Sequence, residues 1–465
     1  MMEQKNVVVI GGGITGLSAA WELQKQSNGH LRITVLEKTN HWGGKIHTKT
    51  VTSPEGGRII IDGGPESFIT RKPEVWDLAH EMGIQDQLTD PGSETSHMYV
   101  LDDGRMHPVP LSPMAFILSS LMSWGGKLRL LAEPWIPPKD DDGDESLAAF
   151  SSRRLGIEAM EKLIAPILGG IYNSDPQRQS ILTTAPLMRE METEYGSLFK
   201  AAFARIKTAR KEKENHKPPR FVSFAGGAQD LVDNLVLQLR ADMRLNTSIQ
   251  EIMRTEQGYQ LTLADGGTLI ADALILTTPA NAAAELLNPL SPEVGSALGR
   301  IRHENIGTAS LVYRSDEVRL SQRIHGLMIP RREKRMIDAV SFSSEKMPER
   351  AAQDYFVVRV FFGGGSPDLV KSNDNELLST IQDELADLFG IHAKPVDVIF
   401  FRWKNSFPQA DVGHLDLISA IEQNLPPGIY LAGSSYRGIG VPDCIRQGKQ
   451  AAGNLYNQLK QSSYS

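Results

Sequence analysis

The sequence predicts an α/β protein, α+β over its whole length, whose main domain is assembled from distant pieces of chain. Three observations carry that expectation. Strand–turn–helix material stands at the start, middle and end of the chain, a mainly helical block fills residues 112 to 205, and strand-like runs dominate residues 305 to 405. One sheet built from the three distant pieces, with the two blocks inserted between them, accounts for all of this. At 465 residues the chain is long for one domain. The expected division is 1–70, 221–300 and 412–465 for the sheet domain, 71–110 and 301–411 for a strand-rich substrate domain, and 111–220 for a helical insertion.

Each element has its own signal. "VVVIGGGITGLSAAWELQK" (residues 7 to 25) reads as a buried strand, a glycine turn and a helix, and "RITVLEK" (Arg32 to Lys38) as the next strand. "KPEVWDLAHEMGI" (Lys72 to Ile84) has helical character. "MAFILSSLM" (Met114 to Met122) is the most lipophilic run, well short of the roughly 20 residues of a membrane span. A buried core helix is its ordinary reading; an apolar channel or a peripheral membrane contact is the other. Leu155, Ile157, Met160, Leu163 and Ile164 keep amphipathic helical spacing. "KDDDGDES" (Lys139 to Ser146) lacks the alternating ligands of a calcium loop and reads as a solvated turn. The basic run "KTARKEKENHKPP" (Lys207 to Pro219) reads as a linker. Beyond it come a glycine turn and helix (Phe224 to Leu239) and a strand (Asp242 to Ile252). A hairpin about Asp265–Gly266 then leads into a buried strand that stops at Pro279. "TASLVYR", "YFVVRVFFGG" and "VDVIFFRW" are strands of the later block. The C-terminal piece, Gly428 to Tyr456, is strand, glycine-rich crossing and helix.

Composition is that of an ordinary soluble protein, 40% hydrophobic and 23% charged, and a net charge of -7 argues against a general nucleic-acid binder. The one cysteine, Cys444, excludes an intrachain disulfide and a multi-cysteine metal site, and reads as a small buried residue. No signal peptide is expected, and a cytoplasmic protein is. No metal-ligand set and no Ser-His-Asp arrangement stands out.

Gly11, Gly13 and Gly16 satisfy G-x-G-x-x-G directly after the first strand, with Gly12 in the turn and Ile14 and Thr15 opening the helix. The first glycine permits the tight turn and the second lets a pyrophosphate approach the backbone. The third lets helix pack on strand, and the helix N-terminus supplies N–H groups and a positive dipole end. Glu37 lies 21 residues after Gly16, where a carboxylate binds a ribose 2′-OH; Lys38 follows it. These features identify a dinucleotide site of Rossmann type. Gly43, Gly44 and Lys45 come immediately after, a second glycine pair with a cation, which makes sense as a second phosphate clamp.

The paired motifs resemble flavoproteins of the amine oxidase and phytoene desaturase type, in which FAD lies extended through the domain. The resemblance assigns Gly433, then Gly438, Ile439, Gly440 and Val441 to the ribityl chain and flavin ring, with Ser434 where an acidic residue often stands. "GGPESFITRK" (Gly63 to Lys72), "APILGGIYNSD" (Ala165 to Asp175), "WKNSFPQADVGH" (Trp403 to His414) and "GSSYRGIGVPDCIRQGKQAA" (Gly433 to Ala452) are similar to the porphyrinogen oxidases of haem biosynthesis, closest to the Gram-positive, HemY type. What the resemblance implies is FAD-dependent oxidation of coproporphyrinogen III to coproporphyrin III, with O₂ as acceptor and hydrogen peroxide released. It adds Gly63, Gly64, Pro65, Glu66, Ser67, Ile249 and Trp403 to the cofactor residues. Arg71 and Lys72 become candidate cations for substrate propionates, Lys72 falling where that family carries a functionally implicated lysine. Tyr172 is a candidate cavity residue, and "RREKR" (Arg331 to Arg335) is a further propionate candidate or a surface turn. Protoporphyrinogen IX is the alternative substrate, amine oxidation or desaturation the alternative chemistry, and a ferrochelatase the implied recipient of product.

Overall fold

The structure, a computed structural model, describes residues 4–53, 55–91, 97–110, 113–211 and 221–462. The chain divides into two compact units, Met1–Pro91 with Pro219–His303 and Leu415–Ser465, and Gly92–Pro218 with Glu304–His414. Segment 71–91, expected with the substrate domain, lies in the first unit, and the helical block and the strand-rich block share the second.

The first unit is built on a five-stranded parallel sheet in the order Asp242–Arg244, Leu31–Leu36, Lys5–Ile10, Ala273–Leu276, Ile429–Leu431. Its inner strands are apolar on both faces, as a sheet covered on each side demands. Val7, Val9, Val35 and Ile275 pack with Leu17 and Leu23 of the helix Ile14–Ser27 and with Ile445 and Leu455 of the final helix, Val441–Ser462. Those helices approach so closely that a Cβ on Gly448 would lie 2.3 Å from the Thr15 carbonyl oxygen. Val8, Ile10, Leu274 and Leu276 face the opposite core with Leu261, Leu287 and Leu298. The expected strand at Asp242 to Ile252 divides: Asp242–Arg244 joins the parallel sheet and Ile249–Thr255 pairs antiparallel with Gly258–Leu263, which pairs in turn with Thr268–Ala271. Gly266, at φ +88°, turns that last hairpin as expected.

In the second unit a seven-stranded sheet runs Asp397–Pro408, His303–Arg314, Tyr355–Phe362, Ala339–Phe342, Gly326–Met328, Met98–Asp102, Arg105–Pro108. Its core joins Leu311, Val358, Val360 and Phe362 to Leu377, Ile381 and Leu385 of the helix Asp374–Phe389. In the helical block, Met160–Gly169 winds as a π-helix with Pro166 inside it. The run at Met114 to Met122 corrects its ordinary reading. Leu121 and Met122 are buried, but the helix Pro113–Leu118 exposes Met114, Ile117 and Leu118. That segment is fixed by polar contacts, the Lys127 ammonium donating to the carbonyls of Ile117 and Ser119 at 2.8 and 2.7 Å. Trp124, Leu128, Leu131 and Trp135 are exposed as well. The basic run beginning at Lys207 starts inside the helix Leu198–Lys211, and its residues 212–219 lie outside the described residues. Among the described residues, no helix is long and apolar enough to cross a membrane.

The helical block is organised about buried charge. Arg154 and Glu133, both fully buried, form an ion pair. Glu133 also accepts hydrogen bonds from the Ser197 hydroxyl at 2.5 Å and from the N–H groups of Leu198 and Phe199 at 2.9 and 3.2 Å. Burial pushes the Glu133 carboxyl up, but these donors and Arg154 outweigh it and hold the group below the usual carboxylate range. Its contribution to stability is therefore complete above the unfolded carboxylate's pKa and is lost as pH falls through the lower folded value. Glu133→Ala leaves Arg154 buried with only Glu192, 3.6 Å from its Nε, to answer it and should cost about 3 kcal/mol, measured by denaturant unfolding.

Candidate cofactor site and its substrate-side cations

All five strands of the parallel sheet end in one row. Arg244 pairs with Leu36, Leu36 with Ile10, Ile10 with Leu276, and Leu276 with Leu431. The residues that follow are Gly11, Glu37, Thr277 and Ala432–Gly433, so the expected site residues gather at the carboxyl edge of the sheet, where open α/β sheets bind ligands.

Gly11, at φ +114°, donates to the Leu36 carbonyl at 2.8 Å. A Cβ on Gly16 would stand 2.0 Å from the Gly11 oxygen, so helix Ile14–Ser27 can start there only with glycine. Its N-cap, Gly13, offers no side-chain cap, which leaves first-turn N–H groups open to an anion. The second glycine pair packs on the first: Gly43 N–H donates to the Gly12 oxygen at 2.9 Å, and Gly13 bridges to Gly43. Gly43 and Gly44 have φ of +108° and +63°. The Glu37 carboxylate accepts from Gly12 N–H at 2.8 Å and from the Thr39 N–H and hydroxyl at 2.8 Å each. Those three donors leave acceptor capacity for a ribose hydroxyl. Lys38 follows Glu37 on the exposed side.

Lys45 has no hydrogen bond or ion pair among the described residues, and burial lowers its ammonium pKa from the usual lysine value. A half-buried cation beside two glycine turns, with no carboxylate to answer it among the described residues, fits an anionic group such as a pyrophosphate. A Cβ on Gly64 would fall 1.9 Å from the Lys45 carbonyl oxygen, and Gly63 N–H donates to the His47 carbonyl at 2.8 Å. These contacts bring the Gly63–Ser67 stretch, with Pro65 and the buried Glu66, against the second clamp. Ile249 opens a strand two residues past Thr247, whose N–H donates to the Glu37 carbonyl at 2.8 Å. Gly433 (φ +136°) and Gly438 (φ +116°) shape the crossing that leads through Ile439 and Gly440 to Val441. Cys444 is buried there, its thiol pushed up to about 11 by burial.

Sequence reasoning missed four residues. The Thr277 hydroxyl donates to the carbonyls of Ile10 and Gly11 at 3.1 and 3.0 Å. Ser435 Oγ accepts from Ala280 N–H and lies 3.1 Å from His303 Nε2, while His303 Nδ1 lies 3.0 Å from the Ile301 carbonyl. Burial takes His303 down to about 4, so it is neutral near pH 7, with Nδ1 as its donor. Asp443, in the first turn of the final helix, accepts from Lys72 Nζ at 2.6 Å. An acid at a helix start was the only signal for it.

Lys72 is therefore joined to the glycine-rich crossing, its side chain 44% exposed, whereas Arg71 is exposed and has no ion pair among the described residues. In the second unit Trp403 stacks on Phe401, centroids 5.9 Å apart at 10°. The Tyr172 hydroxyl donates to the Thr184 carbonyl at 2.9 Å. Within "RREKR", Arg332 pairs with Asp102 and Arg335 with Asp387 and Glu384, as in a surface turn. Among the described residues, Asp102, Asp103 and Glu333 are grouped closely enough to hold a metal, yet Asp102 answers Arg332 and Lys162, and Glu333 answers the N–H groups of Asp103 and Gly104.

Comparison with known proteins agrees with this geometry. The family model of flavin-containing amine oxidoreductases matches residues 14–455. Coproporphyrinogen III oxidase of Bacillus subtilis (strain 168) is 31% identical, the alignment covering 98% of this chain and 99% of the relative. The enzyme of the same name from Staphylococcus aureus is 28% identical over 98% of this chain and 100% of its own. A crystal structure from Exiguobacterium sp. 255-15, provisionally named a protoporphyrinogen oxidase, superposes with a TM-score of 0.84 at 28% identity, covering 98% of this chain and 100% of that one.

Two variants test the cofactor site. Gly16→Ala should purify without FAD, read from visible absorbance, because the helix can no longer start against Gly11. Lys45→Met should keep its fold by circular dichroism yet hold FAD about tenfold or more weakly in equilibrium dialysis, since a charge-assisted contact is lost.

Proposed function

The chain belongs to the flavin-containing amine oxidoreductases and is an FAD-dependent oxidoreductase, and on that premise we propose that it oxidises coproporphyrinogen III to coproporphyrin III. The observation that carries the reading is the half-exposed Lys72 ammonium held at the loop Gly438–Val441. A cation for a substrate carboxylate thus stands beside the stretch assigned to the flavin ring. The names of the relatives support the same substrate class.

When bound, FAD supplies a two-electron acceptor. A porphyrinogen becomes a porphyrin by losing six electrons and six protons, so three passes, each returned to O₂ as hydrogen peroxide, balance the reaction. The chain's residues bind and orient. Gly11–Gly16 with Gly43–Lys45 would hold the two phosphates, Glu37 the ribose, and Gly63–Ser67, Ile249 and Gly433–Val441 would flank the rest. Lys72 and Arg71 would draw propionates and so orient a methylene bridge for oxidation. Aromatisation drives the chemistry, so orientation contributes more than a strong protein base. The reading includes a cytoplasmic setting, a ferrochelatase that takes the product, and the exposed Met114, Ile117 and Leu118 as a peripheral membrane contact. Tyr436, the aromatic residue an amine-oxidising site would use beside the flavin, is buried in the core with Tyr259 and Ile418.

Purified protein given coproporphyrinogen III or protoporphyrinogen IX in air, with porphyrin fluorescence followed, should turn over the tetracarboxylate faster; a markedly higher rate on protoporphyrinogen IX would overturn the substrate. Lys72→Ala should lose about tenfold in kcat/KM with FAD retained, the size of one removed charged contact.

A further inference from the structure

Lysine is a poor positioning group when free. Its ammonium rides on a flexible four-carbon stem, and fixing that stem on a ligand costs rotamer entropy. At Lys72 the chain deals with this in two ways. The backbone precedes Pro73, which restricts it toward extended conformations, and Pro73 is followed by the helix Glu74–Met82. The ammonium then reaches Asp443 Oδ2 at 2.6 Å, across 371 residues of sequence.

Asp443 is itself fixed on three sides. Its other oxygen, Oδ1, accepts from Arg446 Nη2 at 3.1 Å, and Arg446 Nε lies 3.6 Å from Glu74 Oε1. The carboxylate sits at the N-terminal end of a 22-residue helix, where the dipole favours an anion. It also rests on the crossing: a Cβ on Gly438 would lie 2.8 Å from its Cγ, and one on Gly440 2.9 Å from Oδ2. The charges therefore alternate in a series, Lys72, Asp443, Arg446, Glu74, that links the start of one helix to the start of another. Asp443 is 10% exposed at its side chain and Lys72 44%, so the ammonium is the more open member of its pair. Among the described residues one of its three N–H donors is engaged, which leaves two that can turn outward.

We propose that Asp443 is a positioning residue, which holds the Lys72 ammonium at the Gly438–Val441 loop for a carboxylate of the substrate. This rests on the reading of Lys72 as the propionate cation. A merely structural role, an acid stabilising a helix N-terminus, would change melting temperature and leave substrate affinity alone. A positioning role acts on affinity through Lys72 and vanishes when Lys72 is absent.

The test is a double-mutant cycle in the FAD-loaded enzyme, with coproporphyrinogen III as substrate and KM, kcat, FAD content and the flavin spectrum as readouts. Asp443→Asn should raise KM about five- to tenfold with kcat nearly unchanged and FAD retained, and Asp443→Glu should recover most of the loss. In a Lys72→Ala background the same Asp443→Asn change should add nothing to KM. Additive effects of the two substitutions, or an unchanged KM in Asp443→Asn, would overturn the positioning role while leaving Lys72 as the cation. An unchanged KM in Lys72→Ala alone would instead remove the reading beneath both. Should Asp443→Asn lose FAD, the cycle is run with Asp443→Ser, whose hydroxyl carries no charge for the ammonium: a KM change that requires Lys72 supports the proposal, and one independent of Lys72 contradicts it.

Discussion

The structure depends on five parallel strands ending in register. Because Arg244, Leu36, Ile10, Leu276 and Leu431 form one row, the chain must turn away from the sheet at adjacent points on a single edge. Each turn then meets its neighbour at backbone distance. That is why glycine recurs there: a Cβ on Gly12 would lie 2.4 Å from the Trp42 ring, and one on Gly43 2.5 Å from the Ile46 oxygen. The same crowding that excludes side chains exposes N–H groups, and a row of N–H groups without side chains is what a pyrophosphate needs. Packing and binding are one constraint here.

On the proposed reading, cofactor and substrate functions are joined by charge rather than by sequence proximity. The first helix lies against the last, and the series of ion pairs from Lys72 through Asp443 and Arg446 to Glu74 ties the segment after Gly63–Ser67 to the glycine-rich crossing. Partly exposed pairs of this kind contribute little stability one by one. Their use is geometric, since a fork of fixed partners holds one ammonium where a free lysine would wander. The buried Arg154–Glu133 pair of the helical block differs, because no water reaches it and each member costs heavily if left alone.

Much of this was legible in the sequence, for identifiable reasons. Strong β-branched runs, glycine spacing and the Asp265–Gly266 turn report local geometry directly, so the first strand, its helix and the hairpin appear where expected. The glycine turns of the candidate cofactor site were legible because backbone approach demands glycine at fixed intervals. Asp443, Ser435 and His303 were not, because their partners lie far away in sequence and their residue types are common. The split of the strand at Asp242 was hidden as well, since pairing with two different sheets leaves no mark on periodicity. Exposure of Met114, Ile117 and Leu118 was misread because an apolar run normally signals a core, whereas this one is fixed by the Lys127 ammonium at its carbonyls.

The most direct measurement is anaerobic mixing of the FAD-loaded protein with coproporphyrinogen III, with flavin absorbance followed and oxygen then admitted. The account predicts that the oxidised flavin band bleaches on mixing and returns with oxygen, releasing about three equivalents of peroxide for each porphyrin formed. A flavin that stays oxidised while the porphyrinogen remains intact would contradict it.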